Sequence, residues 1–281
     1  MAVGFKLYDP NMNELKFPAG VKPLDFLVSS IEKERYTETI KGIPGTIDYG
    51  FDYKERSDCS LTFFLRHYHD EHDYLLLESE INAFLDSQPF FYVSRNNLPT
   101  RVLKVTIDSS YKTERILGSM YATLEVPVTI TGLPFWRTKW KTQELELEGY
   151  NADSDKFGFA DNINLDYPNY TFTTNSFYVW NGGNLTVDPR NMDLKIRLYQ
   201  LKTDGNFKLT NHTTGETFEY RAPRTGNTVD MDGVQAFVGM QANRLRETNR
   251  KYISLAPGLN KISYTGGEMI NIQFDFPFYF K

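Results

Sequence analysis

The chain has 281 residues, of which 40% are apolar and 24% are charged, and this balance excludes both a disordered chain and a membrane-embedded one. The 31 Lys and Arg residues and the 36 Asp and Glu residues give a net charge of −5, which argues against a protein that binds nucleic acid by neutralising phosphates. The single cysteine, Cys59, excludes an intramolecular disulfide and a zinc site built from several thiolates.

The length predicts two domains, at about 150 residues per domain. The first residues lack the basic and apolar regions of a secretory signal, and no stretch approaches the roughly 18 apolar residues that a membrane span needs. We therefore expect synthesis in the cytoplasm and no insertion into a membrane.

The first half of the chain is predicted to form β-strands, because apolar residues recur at every second position, as in strands with one buried face. This pattern occurs in Cys59, Leu61, Phe63 and Leu65, in Leu103, Val105 and Ile107, and in Leu124, Val126, Val128 and Ile130. Pro127 lies between these last residues and has no N–H to donate. Its strand is therefore predicted to be an edge strand or to carry a bulge.

Residues 70–85 predict a helix instead of a strand. Their apolar residues recur at steps of three and four, at Tyr74, Leu77, Ile81, Phe84 and Leu85. Acidic residues, beginning with Asp70, lie where the positive end of the helix dipole favours negative charge, and Pro89 follows the predicted end.

The second half also predicts strands. Alternation recurs in Leu194, Ile196 and Leu198, and again as one long strand in Ile270, Ile272, Phe274, Phe276, Phe278 and Phe280. Regularly spaced turn residues separate these strands, which is typical of a sandwich or barrel. We predict a mainly β protein with two β-sandwich or barrel-like domains, residues 1–140 and 141–281.

His67, His69 and His72, with acidic residues between them, form the sharpest candidate for a metal site. They nearly match the H-x-H-x-D-H signature of metallo-β-lactamase-like hydrolases, with Glu71 in place of the aspartate. Those enzymes need further downstream histidines and several helices, whereas this chain has only one more histidine, His212. We therefore favour a strand that ends at an acidic helix start, and predict no catalytic residue, no metal and no cofactor.

Aromatic residues of the second half, among them Tyr178 and Trp180, offer a possible platform on which sugar rings stack. Their simpler interpretation is that they fill an aromatic core. The platform leaves one alternative function open, a carbohydrate-binding module of a cell-wall-targeting protein.

Several segments, taken in order, resemble one known family. The first of these segments is a strand with a glycine turn in residues 36–50. It is followed by the alternating strand at 59–65, the helix at 70–85 and the long strand that ends at 132–136. In the second half come Asn-Gly-Gly-Asn at 181–184, the segments 209–216 and 256–260, and the Phe-rich end. In this order and spacing the chain resembles the distal tail ("Dit") proteins of siphophages over nearly its whole length.

The resemblance implies an N-terminal ring-forming tail domain with one flanking helix and an extended β-hairpin, followed by a galectin-like or carbohydrate-binding-module-like sandwich. It implies a structural protein of the virion, not an enzyme, with six copies forming a ring at the tail tip. The implied partners are the major tail tube protein and the tail-associated lysin or fibre hub. The tape-measure protein and receptor-binding proteins are further candidates.

Within this ring we predict that the hairpin region 32–53 makes the contacts, since it mixes charge with apolar bulk at Arg35, Tyr36, Ile40, Ile43 and Tyr49. Six copies at −5 each carry a total charge of −30. Such a ring is expected to let DNA slide through without binding its phosphates.

Overall fold

The computed structural model describes residues 4–69, 71–149, 156–158, 161–239 and 243–281. The chain is mainly β, as the alternating apolar pattern predicts, and it divides into two compact units, Met1–Trp136 and Arg137–Lys281. Within the described ranges, no helix is long and apolar enough to cross a membrane. That the chain forms two independent domains divided near residue 140 stays a prediction.

The first unit contains an antiparallel sheet, one helix and one separate hairpin. Its elements are β1 (Phe5–Tyr8), β2 (Val21–Leu27), β3 (Lys33–Glu38), β4 (Ile47–Tyr53), β5 (Cys59–Arg66), α1 (Glu71–Leu85), β6 (Phe91–Arg95), β7 (Leu98–Thr106), β8 (Thr113–Arg115) and β9 (Tyr121–Ile130). The sheet has the order β1-β6-β7-β9-β5-β2, and β8 pairs with β9 as well. The hairpin consists of β3 and β4.

The alternating residues of β5 and β9 form the core of this unit. Their register places Leu61 opposite Val126 and Phe63 opposite Leu124, all of them buried. Helix α1 contributes Leu77 to the same apolar cluster. Because burial of each such side chain stabilises the fold by about 1.5–3 kcal/mol, the period of two in the sequence determines which face of the sheet is inner.

The predicted helix is confirmed from Glu71 onwards, while Asp70 lies outside the described residues. Asp73, in the first turn, accepts hydrogen bonds from the backbone N–H groups of Tyr68 at 2.6 Å and His69 at 3.1 Å. These two bonds hold the pKa of the Asp73 carboxyl below its ordinary value. They tie the end of β5 to the start of the helix, as acidic residues at a helix N-terminus do.

The prediction that Pro127 marks an edge strand or a bulge is wrong. Strand β9 lies between β7 and β5, and Pro127 pairs with Ser60 of β5 in a continuous register. On the other side of β9, β8 pairs with residues 122–124 and β7 with 129–130. On that other side, no described strand pairs with β9 at Pro127. A position without a ladder partner tolerates a residue that cannot donate a hydrogen bond.

The second unit is a β-sandwich. Its elements, with β10 at the division between the units, are β10 (Trp136–Thr138), α2 (Thr142–Glu148), β11 (Thr171–Phe172), β12 (Ser176–Asn181), β13 (Lys195–Asp204), β14 (Phe207–Asn211), β15 (Glu216–Tyr220), β16 (Pro223–Asp232), β17 (Gln235–Val238), β18 (Gly258–Thr265), β19 (Asn271–Asp275) and β20 (Tyr279–Phe280). One sheet has the order β11-β19-β13-β16-β17 and the other β12-β18-β14-β15. Their inner faces meet through aromatic rings, with Phe177 and Phe274 5.9 Å apart between centroids.

Helix α2 is an element that the sequence did not predict. It has only seven residues, and its Leu145 and Leu147 alternate as they would in a strand. The Glu144 side chain accepts a hydrogen bond from the Lys141 backbone N–H at 2.9 Å, which stabilises the helix start. Leu145 is buried whereas Leu147 is exposed, and the short helix therefore depends on tertiary contact.

The strand predicted at the end of the chain is interrupted, and β19 and β20 are separate. Pro277 lies between them and cannot donate to a ladder. The flanking backbone N–H groups bind side chains instead: Phe276 donates to the Thr142 hydroxyl at 3.2 Å and Phe278 to the Thr138 hydroxyl at 3.0 Å. Both phenylalanines are nevertheless buried, and this explains why the apolar alternation continues through the break.

Candidate functional site

The hairpin of β3 and β4 is the candidate site, because it is exposed to solvent along its length. Every side chain of β3 is exposed, and those of β4 are exposed or half-buried. Among the described strands, β3 and β4 pair only with each other. Since a two-stranded hairpin needs further packing to be stable in water, its faces are candidate contact surfaces for other chains.

A bulge controls which side chains share a face of the hairpin. The register pairs Arg35 with Phe51 and Thr37 with Asp48, so that β4 has one residue more than β3 in this interval. Gly50 lies in the bulge with φ at +100°, a conformation that glycine adopts without a steric penalty. The bulge turns Asp48 to the same side as Arg35, and the two side chains form an ion pair.

The base of the hairpin is held by backbone hydrogen bonds and by an aromatic contact. The Glu32 and Lys54 segments are joined by two backbone bonds, Glu32 N–H to Glu55 C=O at 2.8 Å and Lys54 N–H to Glu32 C=O at 2.9 Å. The Tyr53 ring contacts the ring of Phe135 edge to face, with centroids 5.6 Å apart. These contacts fix the base of the hairpin to the rest of the first unit.

One side of the hairpin, which we call the cationic face, carries Lys33, Arg35, Asp48, Phe51 and Tyr53. The Lys33 Nζ lies 4.6 Å from the centroid of the Phe51 ring, and the Arg35 guanidinium lies 5.6 Å from it. Such cation–π contacts stabilise exposed side chains by about 0.5–1 kcal/mol. They hold both cations over an aromatic surface.

The other side, which we call the acidic face, carries Glu34, Tyr36, Glu38, Tyr49 and Asp52, and Lys54 lies beside Glu34 at its base. The Tyr36 hydroxyl donates to the Asp52 carboxylate at 3.1 Å, and the Tyr49 hydroxyl donates to the Glu38 carboxylate at 2.9 Å. The Tyr36–Asp52 bond, together with some desolvation, raises the pKa of the Tyr36 hydroxyl above its ordinary value. Both tyrosine hydroxyls are thereby held by a carboxylate, while the Tyr36 and Tyr49 side chains stay exposed.

The structure divides the predicted ring-contact residues between three places. Arg35 lies on the cationic face, Tyr36 and Tyr49 lie on the acidic face, and Ile40 and Ile43 lie in the tip between the strands. Tyr49 is 62% exposed and Ile43 is 52% exposed, so the apolar bulk is available to a partner. That these residues contact a neighbouring copy stays a prediction.

Sequence reasoning missed Lys33 and Phe51 as members of the surface. A signal for the two faces was present, since Lys33, Glu34 and Arg35 alternate in charge sign. Successive side chains of a strand point to opposite faces, and alternation of sign therefore separates positive from negative charge.

The predicted glycan residues lie on one face of β12, two positions apart. Tyr178 is 42% exposed, and its ring lies 5.8 Å from the ring of Tyr167. Trp180 is half-buried, and its indole N–H donates to the Asn162 carbonyl at 2.8 Å. Tyr178 is accessible for stacking whereas the Trp180 N–H already has a partner; glycan binding, and the galectin-like identity of this unit, stay predictions.

The three candidate metal-binding histidines lie around the junction of β5 and α1. His67 is buried, and its Nδ1 lies 2.9 Å from the His69 carbonyl oxygen, to which it donates. The His69 ring lies 3.8 Å from the Asp73 carboxylate. In the parts of the chain that the structure describes, no three His, Cys, Asp or Glu side chains are grouped to hold a metal ion.

Comparisons with known proteins identify the fold. No protein-family model matches the sequence, and no curated protein matches it. A chain of the phage p2 baseplate in its activated conformation with Sr is similar, with a TM-score of 0.49 and 8% identity over 98% of this chain and 97% of that chain, which is too distant to assign a fold.

The SPP1 Dit protein, described as a paradigm of the hub adsorption apparatus in phages that infect Gram-positive bacteria, is more similar. Its TM-score is 0.64 and its identity 12%, over 98% of this chain and 99% of that chain. The chain therefore has the fold of the SPP1 Dit protein over almost its entire length, as its resemblance to the siphophage distal tail protein family predicts.

Proposed function

We propose that this chain is a structural protein of the hub at the tip of a long, non-contractile phage tail. The observation that carries the proposal is the likeness in fold to the SPP1 Dit protein, which extends over nearly all of both chains. A likeness confined to one sandwich would fit many unrelated proteins, because such folds host many functions. This likeness spans both units.

In the proposed assembly, six copies form a closed ring and the hairpin makes the contacts between neighbours. The exposed apolar and aromatic side chains of Tyr36, Ile40, Ile43 and Tyr49 support this role, since such groups are typical of the cores of protein interfaces. A closed ring covers these surfaces in every copy without open-ended growth.

The ring is proposed to join the tail tube to the tail-associated lysin or fibre hub, within the virion. Its role is mechanical joining and not the turnover of a substrate. The net charge of −5 per copy fits a channel through which DNA passes, because an acidic surface does not retain phosphates.

Light scattering and negative-stain electron microscopy of the purified protein test the ring. Six copies of 32.6 kDa predict a particle of about 196 kDa with six-fold symmetry. A protein that stays at 32.6 kDa at every concentration would contradict the ring.

Gold-labelled antibodies against the chain test its location. We expect label at the tip of the tail of intact virions, with pre-immune serum as the control. Label along the tube, on the head or nowhere on the virion would contradict the proposed hub position.

A further inference from the structure

The cationic face of the hairpin has a net positive charge. Lys33 and Arg35 contribute two positive charges and Asp48 contributes one negative charge, which leaves +1. The Arg35 and Asp48 side chains remain about half exposed although they pair with each other. The charge is therefore accessible to another molecule.

The acidic face has a net negative charge. Glu34, Glu38 and Asp52 contribute three negative charges, and Lys54, whose Nζ lies 3.8 Å from the Glu34 carboxylate, contributes one positive charge. The sum is −2. The Glu34 and Lys54 side chains are likewise about half exposed.

The opposite signs restrict how two hairpins can meet. A contact between two cationic faces, or between two acidic faces, brings like charges together at a cost in free energy. A contact between unlike faces brings opposite charges together. Because each copy has one face of each kind, such a head-to-tail contact leaves a free face at both ends of a row, and the row closes into a ring when the rotation between copies allows it.

We propose that the cationic face of one copy's hairpin binds the acidic face of the next copy's hairpin. This inference rests on the ring proposed above and names the two surfaces that form it. In this contact Phe51 of the cationic face meets Tyr36 and Tyr49 of the acidic face. The contact removes these exposed aromatic rings from water, as aromatic residues at the centre of an interface do.

Charge reversal of one face at a time tests the proposal. Lys33→Glu/Arg35→Glu/Asp48→Lys changes the cationic face from +1 to −1 and keeps an oppositely charged pair at positions 35 and 48. Glu38→Lys/Asp52→Lys changes the acidic face from −2 to +2, and the neighbouring tyrosine hydroxyls can accept hydrogen bonds from the new ammonium groups. The third variant combines all five substitutions.

We expect each single-face variant to need a protein concentration about tenfold higher, or more, for half-assembly in light scattering, because like charges then face each other. The combined variant is expected to assemble at the wild-type concentration, since its faces are again complementary. Recovery in the most heavily substituted chain cannot be explained by misfolding. Lys208→Glu/Arg221→Glu, a reversal of two exposed cations that pair with Glu219 in the second unit, is the matched control and should not change assembly.

The outcomes separate this inference from the proposed function. If the wild-type protein forms the ring but either single-face variant assembles equally well, the head-to-tail contact is wrong while the ring stands. A contact in which the same face of two copies meets would give that result. Reversing the charge of that face leaves like charges opposite each other, as in the wild-type protein. If the single-face variants fail and the folded combined variant fails as well, the contact is also wrong. A wild-type protein that never assembles overturns both.

Discussion

Arg56 connects the base of the hairpin to a residue 78 positions further along the chain, since its Nε donates to the Pro134 carbonyl oxygen at 2.7 Å. Its Nη1 donates to the Ser29 carbonyl oxygen at 2.5 Å. Burial lowers the pKa of this guanidinium, yet an arginine stays charged at neutral pH. A charged donor strengthens both bonds, and one side chain thus joins the segments before and after the hairpin to the end of the first unit.

Removal of this donor is predicted to loosen the hairpin. Arg56→Met keeps most of the side-chain bulk but leaves the Ser29 and Pro134 carbonyls without their partner, and we expect a loss of about 2–3 kcal/mol in the free energy of unfolding. Urea denaturation measures this loss. Chymotrypsin, which cuts after accessible aromatic residues, should cleave the hairpin faster at Tyr36 and Tyr49. Unchanged unfolding and cleavage would show that the hairpin base is held elsewhere.

The apolar tip of the hairpin is predicted to contribute to assembly and not to folding. Ile43 is exposed, so Ile43→Ser should change the free energy of unfolding by no more than about 0.5 kcal/mol. If the side chain is buried in the ring, self-association should weaken by about tenfold to a hundredfold. Leu165→Ser, at a residue of the second unit that is 67% exposed, is the matched control. Equal effects of both variants on self-association, measured by light scattering, would show that the tip is not part of the interface.

Asp275 of β19 predicts a pH dependence of stability. Burial raises the pKa of its carboxyl above the ordinary value of 3.8, and the nearby charge of Lys141 only partly opposes this. With the pKa higher in the folded state, the folded state holds the proton more tightly. The contribution of this group to stability is therefore complete below the ordinary value and is lost as the pH rises through the raised pKa.

Asp275→Asn should accordingly increase the free energy of unfolding at about pH 7 and leave it unchanged at about pH 3, where the wild-type carboxyl is also neutral. The asparagine can still accept the Gln143 N–H, which lies 3.4 Å from the carboxylate. Thermal unfolding at both pH values measures the difference. A variant less stable than wild type at pH 7 would mean that attraction to Lys141 and Lys195 outweighs desolvation.

The hydrogen bonds of Thr138, at the start of the second unit, predict that two fragments of different length differ in stability. Thr138 donates its N–H to the Phe278 carbonyl at 2.9 Å and accepts the Phe278 N–H on its hydroxyl at 3.0 Å. Fragment 137–281 keeps these bonds and fragment 141–281 loses them. We expect the longer fragment to be more stable by about 1–3 kcal/mol.

Thermal unfolding of both fragments measures this difference, and Thr138→Val in the longer fragment controls for the hydroxyl alone. Equal midpoints would show that Thr138 does not stabilise the unit. Non-cooperative unfolding of both fragments would contradict the predicted division into independent domains.

Strand faces and the long helix could be predicted from the sequence because they follow from neighbouring residues. A period of two in β5 and β9 indicates a strand with one buried face, and steps of three and four in α1 indicate an apolar helix stripe. The helix α2 could not be predicted in this way. Its seven residues contain no complete stripe, and its stability comes from contacts such as the hydrogen bond from the Thr142 hydroxyl to the Phe274 carbonyl at 2.9 Å.

The candidate site shows the same difference. The alternating charges of Lys33, Glu34 and Arg35 are a local pattern, and they already separate positive from negative charge on a strand. Both faces stay exposed because no other strand among the described residues pairs with the hairpin. No local pattern in the sequence encodes this exposure. The central position of Pro127 and the bond between Arg56 and Pro134 also arise between distant segments. Short-range periodicity determines which way a side chain points, whereas pairing across tens of residues determines what it meets.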